Sequence, residues 1–202
     1  MSREENVPIR SRRFKKSEPI RHVDCDSIRT MIVDPFSILQ TAAALAAKAH
    51  AGQFIRTSEI PYIAHPVSVS MAVTCLFGCP DPAVAAAALL HDTLEKTCLT
   101  AGEIQEALGP RVLELVVALT KEDGDRKAYW ERLHEGPWEA RLIKMADALD
   151  HLDCPAEELA RRIKGGRRAV LLGYSEEEPI RCAVRILEEA IVMAAIRLGN
   201  LT

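Results

Sequence analysis

Prolines stand at the beginning of most apolar segments of this chain. Proline lacks a backbone N–H and fixes φ at about −65°, so the first turn of a helix tolerates it and a helix interior does not. Asp34 and Asp81 each precede a proline, where an aspartate can accept hydrogen bonds from free N–H groups of the first turn. The prolines concerned are Pro35, Pro66, Pro82, Pro110, Pro137, Pro155 and Pro179. The pattern predicts a series of helices joined by short loops.

The composition favours the same class of fold. Hydrophobic residues make up 48% of the chain and aromatic residues only 4%, and no segment alternates between polar and apolar residues as a strand does. The predicted fold class is therefore all-α, a compact helical bundle. The predicted helices cover about residues 35–52, 66–78, 82–92, 111–119 and 138–151, with two more opened by Pro155 and Pro179, and Thr100 and Glu103 have capping-box spacing.

The length of 202 residues suits one domain of ordinary size. We predict a single domain over residues 35–202, with a motif-bearing core over 36–155 and C-terminal helices over 156–202. Arg3 to Arg21 holds seven basic and three acidic residues without helical periodicity, so residues 1–34 are predicted to be a disordered basic tail; a binding arm is the alternative. The last helix is expected to complete the bundle, and a homodimer seam is the alternative.

Charge and cysteine usage narrow the range of partners and compartments. The net charge of −3 gives no general attraction to nucleic acid or to an anionic membrane, so neither is predicted as a partner. The longest apolar run near the C terminus, Ala190 to Ile196, is too short to cross a bilayer. The six cysteines include no CxxC pair, a pattern typical of reduced thiols, so we expect a cytoplasmic protein.

An adjacent imidazole and carboxylate, His91 and Asp92, end an apolar segment, and Glu95 follows three residues later. Burying an unpaired charge is costly, but these groups together can hold a divalent metal ion. Successive helical residues point about 100° apart, so His91 and Asp92 can reach one ion only at a helix end or a distorted turn. The sequence therefore predicts a metal site where this helix ends.

Two more residues are candidates for the same site. The helices over 66–78 and 82–92 are joined by a short turn, so they should form an antiparallel hairpin whose open end brings His65 to His91. Asp147 lies in a helix among apolar neighbours, and an acid in such surroundings needs a partner. We expect both residues to lie close to the metal site.

Four blocks of sequence around these residues resemble a known family. The order His65, His91-Asp92, Asp147 is similar to the H…HD…D order of HD-superfamily metal phosphohydrolases. The flanking residues resemble the RelA/SpoT-type alarmone hydrolases of the stringent response, including small alarmone hydrolases. The blocks are His50-Ala-Gly-Gln-Phe-Ile-Arg56 with Pro61-Tyr-Ile-Ala-His65-Pro66, then Ala88–Thr97, Leu108–Lys121 and Lys144–Leu152. The resemblance covers about residues 36–155.

The resemblance implies a metal-dependent 3′-pyrophosphohydrolase that acts on guanosine tetraphosphate or pentaphosphate, a small-molecule nucleotide substrate. Its metal ligands would be His65, His91, Asp92 and Asp147. Two imidazoles and two carboxylates suit one Mn²⁺ ion, or another divalent ion, with positions left open for a water and a phosphate oxygen. Such an ion would lower the pKa of the water and polarise the phosphoryl group.

The resemblance also assigns roles in catalysis and in substrate binding. Glu95 would orient or deprotonate the water as a general base, and Lys96 beside it is the second candidate catalytic residue. Arg56 matches the basic residue that contacts the guanosine portion, although a one-residue insertion shifts its register. Lys144 and His151 are the other expected contacts to the substrate.

Lys96 departs from the family pattern, in which a second acid follows the glutamate. Its ammonium can hold a substrate phosphate, or it can pair with Glu95 or Asp92 and weaken the site. His151 likewise replaces an asparagine. Two alternative functions therefore stay open, a nucleotidase or phosphatase of the HD type with another phosphorylated substrate, and a catalytically weak nucleotide-binding module.

Plainer roles are expected for the other polar residues. His50 lies near a helix end, and we expect a structural role or a hydrogen bond to a metal ligand. Asp150 and Asp153 follow Asp147 closely and are expected to lie on a solvated helix face.

Overall fold

The computed structural model describes residues 25–56, 58–121 and 126–200, with the backbone alone for residues 25–35. Within these ranges the chain forms helices and no strand, apart from one isolated bridge between Phe54 and Pro61. The helices are α1 (Cys25–Ala49), α2 (Ala64–Met71), α3 (Pro82–Leu90), α4 (Thr93–Lys96), α5 (Ala101–Leu108), α6 (Pro110–Leu119), α7 (Arg126–Glu135), α8 (Trp138–Asp150), α9 (Ala156–Val170) and α10 (Glu178–Gly199). The prediction of an all-α fold is confirmed.

The chain divides into two units, Met1–Val33 and Asp34–Thr202. Most of the predicted basic tail, residues 1–34, lies outside the described residues, so its disorder stays a prediction, as does the single domain over 35–202. The predicted start of the first helix at Pro35 is wrong, because α1 begins at Cys25 and includes that proline. An internal proline removes one backbone hydrogen bond, which does not end a helix when the residues on both sides keep helical geometry.

Most of the other predicted helix starts are confirmed. Asp81 caps α3, since its Oδ1 accepts a hydrogen bond from the backbone N of Ala83 at 2.8 Å, and Pro82 occupies the first turn. Thr100 and Glu103 form the predicted capping box of α5. Prolines also lie in the first turn of α6 and α10 and directly precede α8 and α9. Helix α7 was not predicted.

Helix α8 lies at the centre of the second unit. It contacts α2, α3, α6, α7, α9 and α10. Leu142, Ile143 and Met145 on this helix are fully buried, and burial of such apolar side chains is the main favourable contribution to folding. Asp147 extends from the same helix one turn further on and is also buried. The packing of α8 therefore holds this acid in a fixed place.

The predicted hairpin is confirmed. Helix α2 continues into a π-helical turn, Ala72–Leu76, and α3 returns alongside it, with Ser70 Oγ donating to the carbonyl of Ala85 at 2.9 Å. Every residue from 84 to 90 in α3 is buried, and the small alanines among them allow neighbouring helices to approach closely. At the open end of the hairpin, the rings of His65 and His91 are 5.1 Å apart.

Helix α10 packs against other helices of the second unit. It packs against α8 and α9 and buries Ile180, Leu187 and Ile191, while Val192 and Met193 are exposed on its outer side. None of the helices in the described ranges combines the length and the apolar character needed to cross a membrane.

Candidate metal centre

The backbone changes direction at His91 and Asp92, between α3 and α4. Asp92 has φ −121° and ψ 6°, which is outside helical geometry. Oγ1 of Thr93 donates to the carbonyl of Leu90 at 2.8 Å, so a carbonyl left free at the end of α3 has a partner. Both His91 and Asp92 are buried. This is the distorted turn that two adjacent ligands would need.

Three of the predicted ligands converge on one point. Nε2 of His65 and Nε2 of His91 lie 3.4 and 3.8 Å from Oδ1 of Asp147. These three atoms lie within 4.8 Å of one another, and all three residues are buried. They come from α2, the α3–α4 turn and α8. Two imidazole nitrogens and one carboxylate oxygen suit a borderline divalent cation, and we call these residues the histidine–aspartate cluster.

Hydrogen bonds on the far side of each ring indicate which nitrogens are free to bind a metal. Nδ1 of His65 lies 2.7 Å from Oδ2 of Asp150, and Nδ1 of His91 lies 2.9 Å from the carbonyl oxygen of Ala88. Both partners accept hydrogen bonds, so each Nδ1 carries a proton and each Nε2 has its lone pair free in the neutral ring. Nε2 of His65 is buried without a hydrogen-bond partner among the described residues. The residues therefore fit a metal ion.

Asp150 was predicted to lie on a solvated face, and that prediction is wrong. Asp150 lies three residues after Asp147 on α8, so both carboxylates are on the same side of the helix, and Asp150 orients His65. Asp153 is exposed, as expected.

Electrostatics in the cluster favour a positive charge. Burial lowers the pKa of His65, but the nearby carboxylates of Asp147 and Asp150 raise it to about 9. Burial lowers the pKa of His91, so this ring is neutral at neutral pH. Burial raises the pKa of Asp147, but the charge of Lys144 leads the contributions that lower it well below the usual range. The site thus has an ionised acid and stabilises a cation, whether a proton or a metal ion.

Asp92, the fourth predicted ligand, lies beside the cluster but has other partners. Its Oδ2 is 4.0 Å from Nε2 of His91 and accepts hydrogen bonds from Tyr62 Oη at 2.5 Å and Lys96 Nζ at 2.7 Å. Its Oδ1 is 3.2 Å from Nε2 of His50 without hydrogen-bond geometry. Burial raises the pKa of Asp92, but His50, His91 and Lys96 lower it below the usual range. Coordination by Asp92 stays a prediction.

A small pocket of about 30 Å³, which we call the inner pocket, borders the cluster and has room for a water molecule. Its lining residues are His91, Asp92, Glu95, Lys96, Leu119, Lys121, Tyr129, Lys144 and Asp147. Glu95 accepts hydrogen bonds from the backbone N of Lys121 at 2.5 Å and from its Nζ at 3.1 Å. Nζ of Lys144 donates to Oδ2 of Asp147 at 2.6 Å. Burial lowers the pKa of Lys144, but the charge of Asp147 raises it further, so Lys144 is a cation.

A larger cavity of about 450 Å³, which we call the outer groove, opens on the other side of Lys96. Arg56, His151 and Arg162 lie along it. Glu158 of α9 lies between the two arginines, with Oε1 3.2 Å from Nε of Arg56 and Oε2 3.0 Å from Arg162. Arg56 and His151 were predicted from the sequence, whereas Arg162 and Glu158 were not. They lie outside the recognised blocks, and only tertiary folding brings α9 to the site.

The loop between α1 and α2 supports this part of the site. His50 Nδ1 lies 2.9 Å from Gln53 Oε1, and Gln53 Nε2 donates to the carbonyl of Lys96 at 2.9 Å. His50 therefore has the structural place expected for it. Tyr62, which was not singled out from the sequence, donates to Asp92; burial and the Asp92 charge raise the pKa of Tyr62, so its hydroxyl keeps its proton.

The described residues form a helical domain with a histidine–aspartate cluster that could hold a metal ion. Residues 42–171 match the family described as HD domain, and the chain belongs to this family. The matched segment includes His65, the His91-Asp92 pair and Asp147. The resemblance inferred from the sequence is confirmed at this level.

Two curated relatives and one solved structure are similar to this chain. Guanosine-3′,5′-bis(diphosphate) 3′-pyrophosphohydrolase MESH1 of Homo sapiens is 38% identical over 121 residues, which are 56% of this chain and 67% of that protein. GTP pyrophosphokinase rsh of Brucella ovis is 40% identical over 85 residues, 42% of this chain and 11% of that protein. A solved structure described as a metazoan ortholog of SpoT that hydrolyses ppGpp has a TM-score of 0.63 and 23% identity, covering 75% of this chain and 93% of its own. This likeness supports the fold.

Proposed function

We propose that this protein is a metal-dependent hydrolase that releases pyrophosphate from the 3′ position of guanosine tetraphosphate or pentaphosphate, leaving GDP or GTP. The observation that carries the proposal is the convergence of His65, His91 and Asp147 beside a groove whose lining includes Arg56, Lys96 and Arg162. The relative from Homo sapiens is named for this reaction and is 38% identical over 121 residues. The name of that relative and the match to the HD domain family both support the assignment.

The metal ligands in this proposal are His65, His91 and Asp147, with Asp92 as the fourth. The proposed ion is Mn²⁺, because mixed imidazole and carboxylate ligands suit a borderline cation. A bound divalent ion would supply a Lewis acid that polarises a phosphoryl oxygen and acidifies a coordinated water. The described residues then have to orient that water, hold the substrate and stabilise the departing groups.

Glu95 is the proposed general base. It lines the inner pocket with His91 and Asp92, and its hydrogen bonds to Lys121 fix the direction of its carboxylate. Lys144 lines the same pocket and stays charged, so it can stabilise negative charge on the pyrophosphate. In hydrolysis, the water oxygen bonds to the phosphorus next to the ribose, and the bond between that phosphorus and the 3′ oxygen breaks. A proton then goes to the departing 3′ oxygen of the ribose.

The outer groove is the proposed site for the rest of the nucleotide. Its volume of about 450 Å³ is within the usual range for small-molecule sites. Arg56, Arg162 and His151 lie along it, and arginine binds phosphate through paired N–H donors. We assign the 5′ phosphates and the guanosine to this groove, while the 3′ pyrophosphate extends to the inner pocket.

Location and assembly are further parts of the proposal. The cysteines that the structure describes as free, Cys75, Cys79, Cys98, Cys154 and Cys182, are consistent with a cytoplasmic protein. A homodimer is the alternative to a monomer, because the outer side of α10 exposes Val192, Met193 and Ile196. The molecular mass of the purified protein in sedimentation analysis distinguishes a monomer from a homodimer.

The pairing of Lys96 with Asp92 favours a second candidate function, a catalytically weak nucleotide-binding module. This ion pair neutralises a carboxylate that the proposed metal site would use. Weak metal binding with intact nucleotide binding would be the mark of such a module.

Incubation of the purified protein with guanosine tetraphosphate and Mn²⁺ tests the proposal. We expect pyrophosphate and GDP in equal amounts, and no release after chelation of the ion. An Asp147→Asn variant is the matched control, because it removes a cluster charge at nearly constant volume. Release of single phosphates from other nucleotides would instead support a general nucleotidase, and nucleotide binding without any turnover would support the module.

A further inference from the structure

Lys96 neutralises a carboxylate that a divalent ion would also attract. Its Nζ lies 2.7 Å from Oδ2 of Asp92, four residues earlier in the chain. Lys96 also donates to the hydroxyl of Tyr62, and that hydroxyl donates to the same carboxylate oxygen. Oδ2 of Asp92 is therefore bound by two donors, one of which is a full positive charge.

The two ends of Lys96 differ in how firmly they are held. The backbone carbonyl of Lys96 accepts a hydrogen bond from Gln53, and Lys96 is the last residue of α4. Its side chain is 41% exposed, in contrast to 5% for the side chain of Asp92. A lysine head group on a four-carbon stem can change position by rotation about single bonds. The ammonium can therefore move while the backbone stays in place.

Lys96 lines both cavities of the site. It borders the inner pocket together with His91 and Asp147, and it borders the outer groove together with Arg56 and Arg162. A substrate that occupies both cavities would lie next to this side chain. The position suits contact with a phosphate group between the two cavities.

An ammonium and a divalent cation compete for one carboxylate, because like charges repel strongly at short range in a partly buried site. We propose that Lys96 is an exchangeable counterion: it neutralises Asp92 in the metal-free protein, and it contacts a substrate phosphate when a divalent ion binds Asp92. The identity of the phosphate rests on the proposed function, whereas the competition with the metal ion does not. The divalent ion and a phosphate-bearing ligand then bind cooperatively. The ion takes the place of Lys96 at Asp92, and the phosphate gives the displaced ammonium a new partner.

The first test measures the affinity for Mn²⁺ alone, by titration calorimetry on the full chain without nucleotide. Lys96→Met removes the charge and keeps the stem, and we expect about tenfold tighter binding of Mn²⁺ or more. Lys164→Met is the control, because Lys164 is an exposed lysine on α9. Lys96→Gln serves in the same way if the methionine variant is poorly folded. An affinity equal to that of the wild type, or weaker, would overturn the proposal.

The second test separates binding of substrate from turnover. At saturating Mn²⁺, Lys96→Met should raise KM for guanosine tetraphosphate about 10- to 100-fold, the loss of one charge-assisted hydrogen bond, with a smaller change in kcat. Lys96→Arg should restore most of the affinity, which a purely structural role of Lys96 would not predict. An unchanged KM would overturn the phosphate contact. If the wild type does not hydrolyse this nucleotide, the proposed function fails, and the calorimetric test still decides the counterion role.

Discussion

Each imidazole of the cluster has a hydrogen bond on the nitrogen that faces away from Asp147. His65 donates to the carboxylate of Asp150, and His91 donates to the backbone carbonyl of Ala88. These bonds fix the tautomer and the ring plane, so the remaining nitrogen presents its lone pair to the cluster. A side chain that does not itself touch the ion can therefore control its affinity.

Asp150→Ala should weaken Mn²⁺ binding about 10- to 100-fold, because His65 loses the partner that orients its ring. The measurement is calorimetric titration, with circular dichroism to verify that the helices are retained. Asp153→Ala is the matched control, since Asp153 is exposed and lies three residues further along the chain. Equal affinity in the Asp150 and Asp153 variants would show that the ring is oriented in another way.

Glu95→Gln should lower kcat for pyrophosphate release by about 10²- to 10⁴-fold, because the amide cannot accept a proton from water. Mn²⁺ affinity should stay near that of the wild type, since Glu95 is hydrogen-bonded to Lys121 rather than to the cluster. Glu106→Gln, at an exposed position of α5, is the control. A parallel loss of kcat and Mn²⁺ affinity would instead indicate that Glu95 supports the metal site.

Among the elements, the helix starts were the part of the fold most open to prediction from sequence. Capping by Asp81 and by the Thr100–Glu103 pair depends on atoms within a few residues, so the local sequence contains the whole signal. The residues that helix α7 buries are Tyr129 and Leu133, so its apolar face is narrow. Pro35 was wrongly predicted to begin a helix. The preference of proline for a first turn is local and does not show that α1 already begins before this residue.

The cap of α3 should contribute measurably to stability. Asp81→Ala should lower the free energy of unfolding by about 1 kcal/mol, because the N–H of Ala83 loses its acceptor. Asp81→Asn is the matched control: it retains a capping oxygen but loses the charge that pairs with Arg111. Chemical denaturation of both variants measures the two contributions. An equal loss in both would assign the effect to the ion pair rather than to the cap.

In the whole molecule, the site combines residues from distant parts of the chain. The cluster could be predicted because its residues lie within motifs that the family shares, even though α2, the α3–α4 turn and α8 meet only after folding. The outer groove could be predicted only in part, since Arg162 and Glu158 come from α9, where no local pattern distinguishes a groove residue from a solvated one. Tyr62 and Asp150 lie within the recognised blocks, but their contacts with Asp92 and His65 form only after folding.

Binding of Mn²⁺ should stabilise the whole domain, because the proposed ligands come from several helices that unfolding separates. An ion that binds only the folded state adds about 2.7 kcal/mol at a free concentration one hundred times its Kd. Thermal unfolding with and without Mn²⁺ measures the increase. Asp147→Asn should abolish most of it, and an unchanged increase in that variant would place the ion elsewhere.

The central position of α8 affects how such a protein can acquire a new substrate. The same helix fills the middle of the core and contributes Asp147, so most substitutions on it would damage folding and chemistry together. Part of the wall of the outer groove comes instead from the loop that contains Arg56 and from Arg162 of α9. Natural divergence and laboratory selection alike should therefore concentrate their changes in those two segments, while the sequence of α8 drifts slowly.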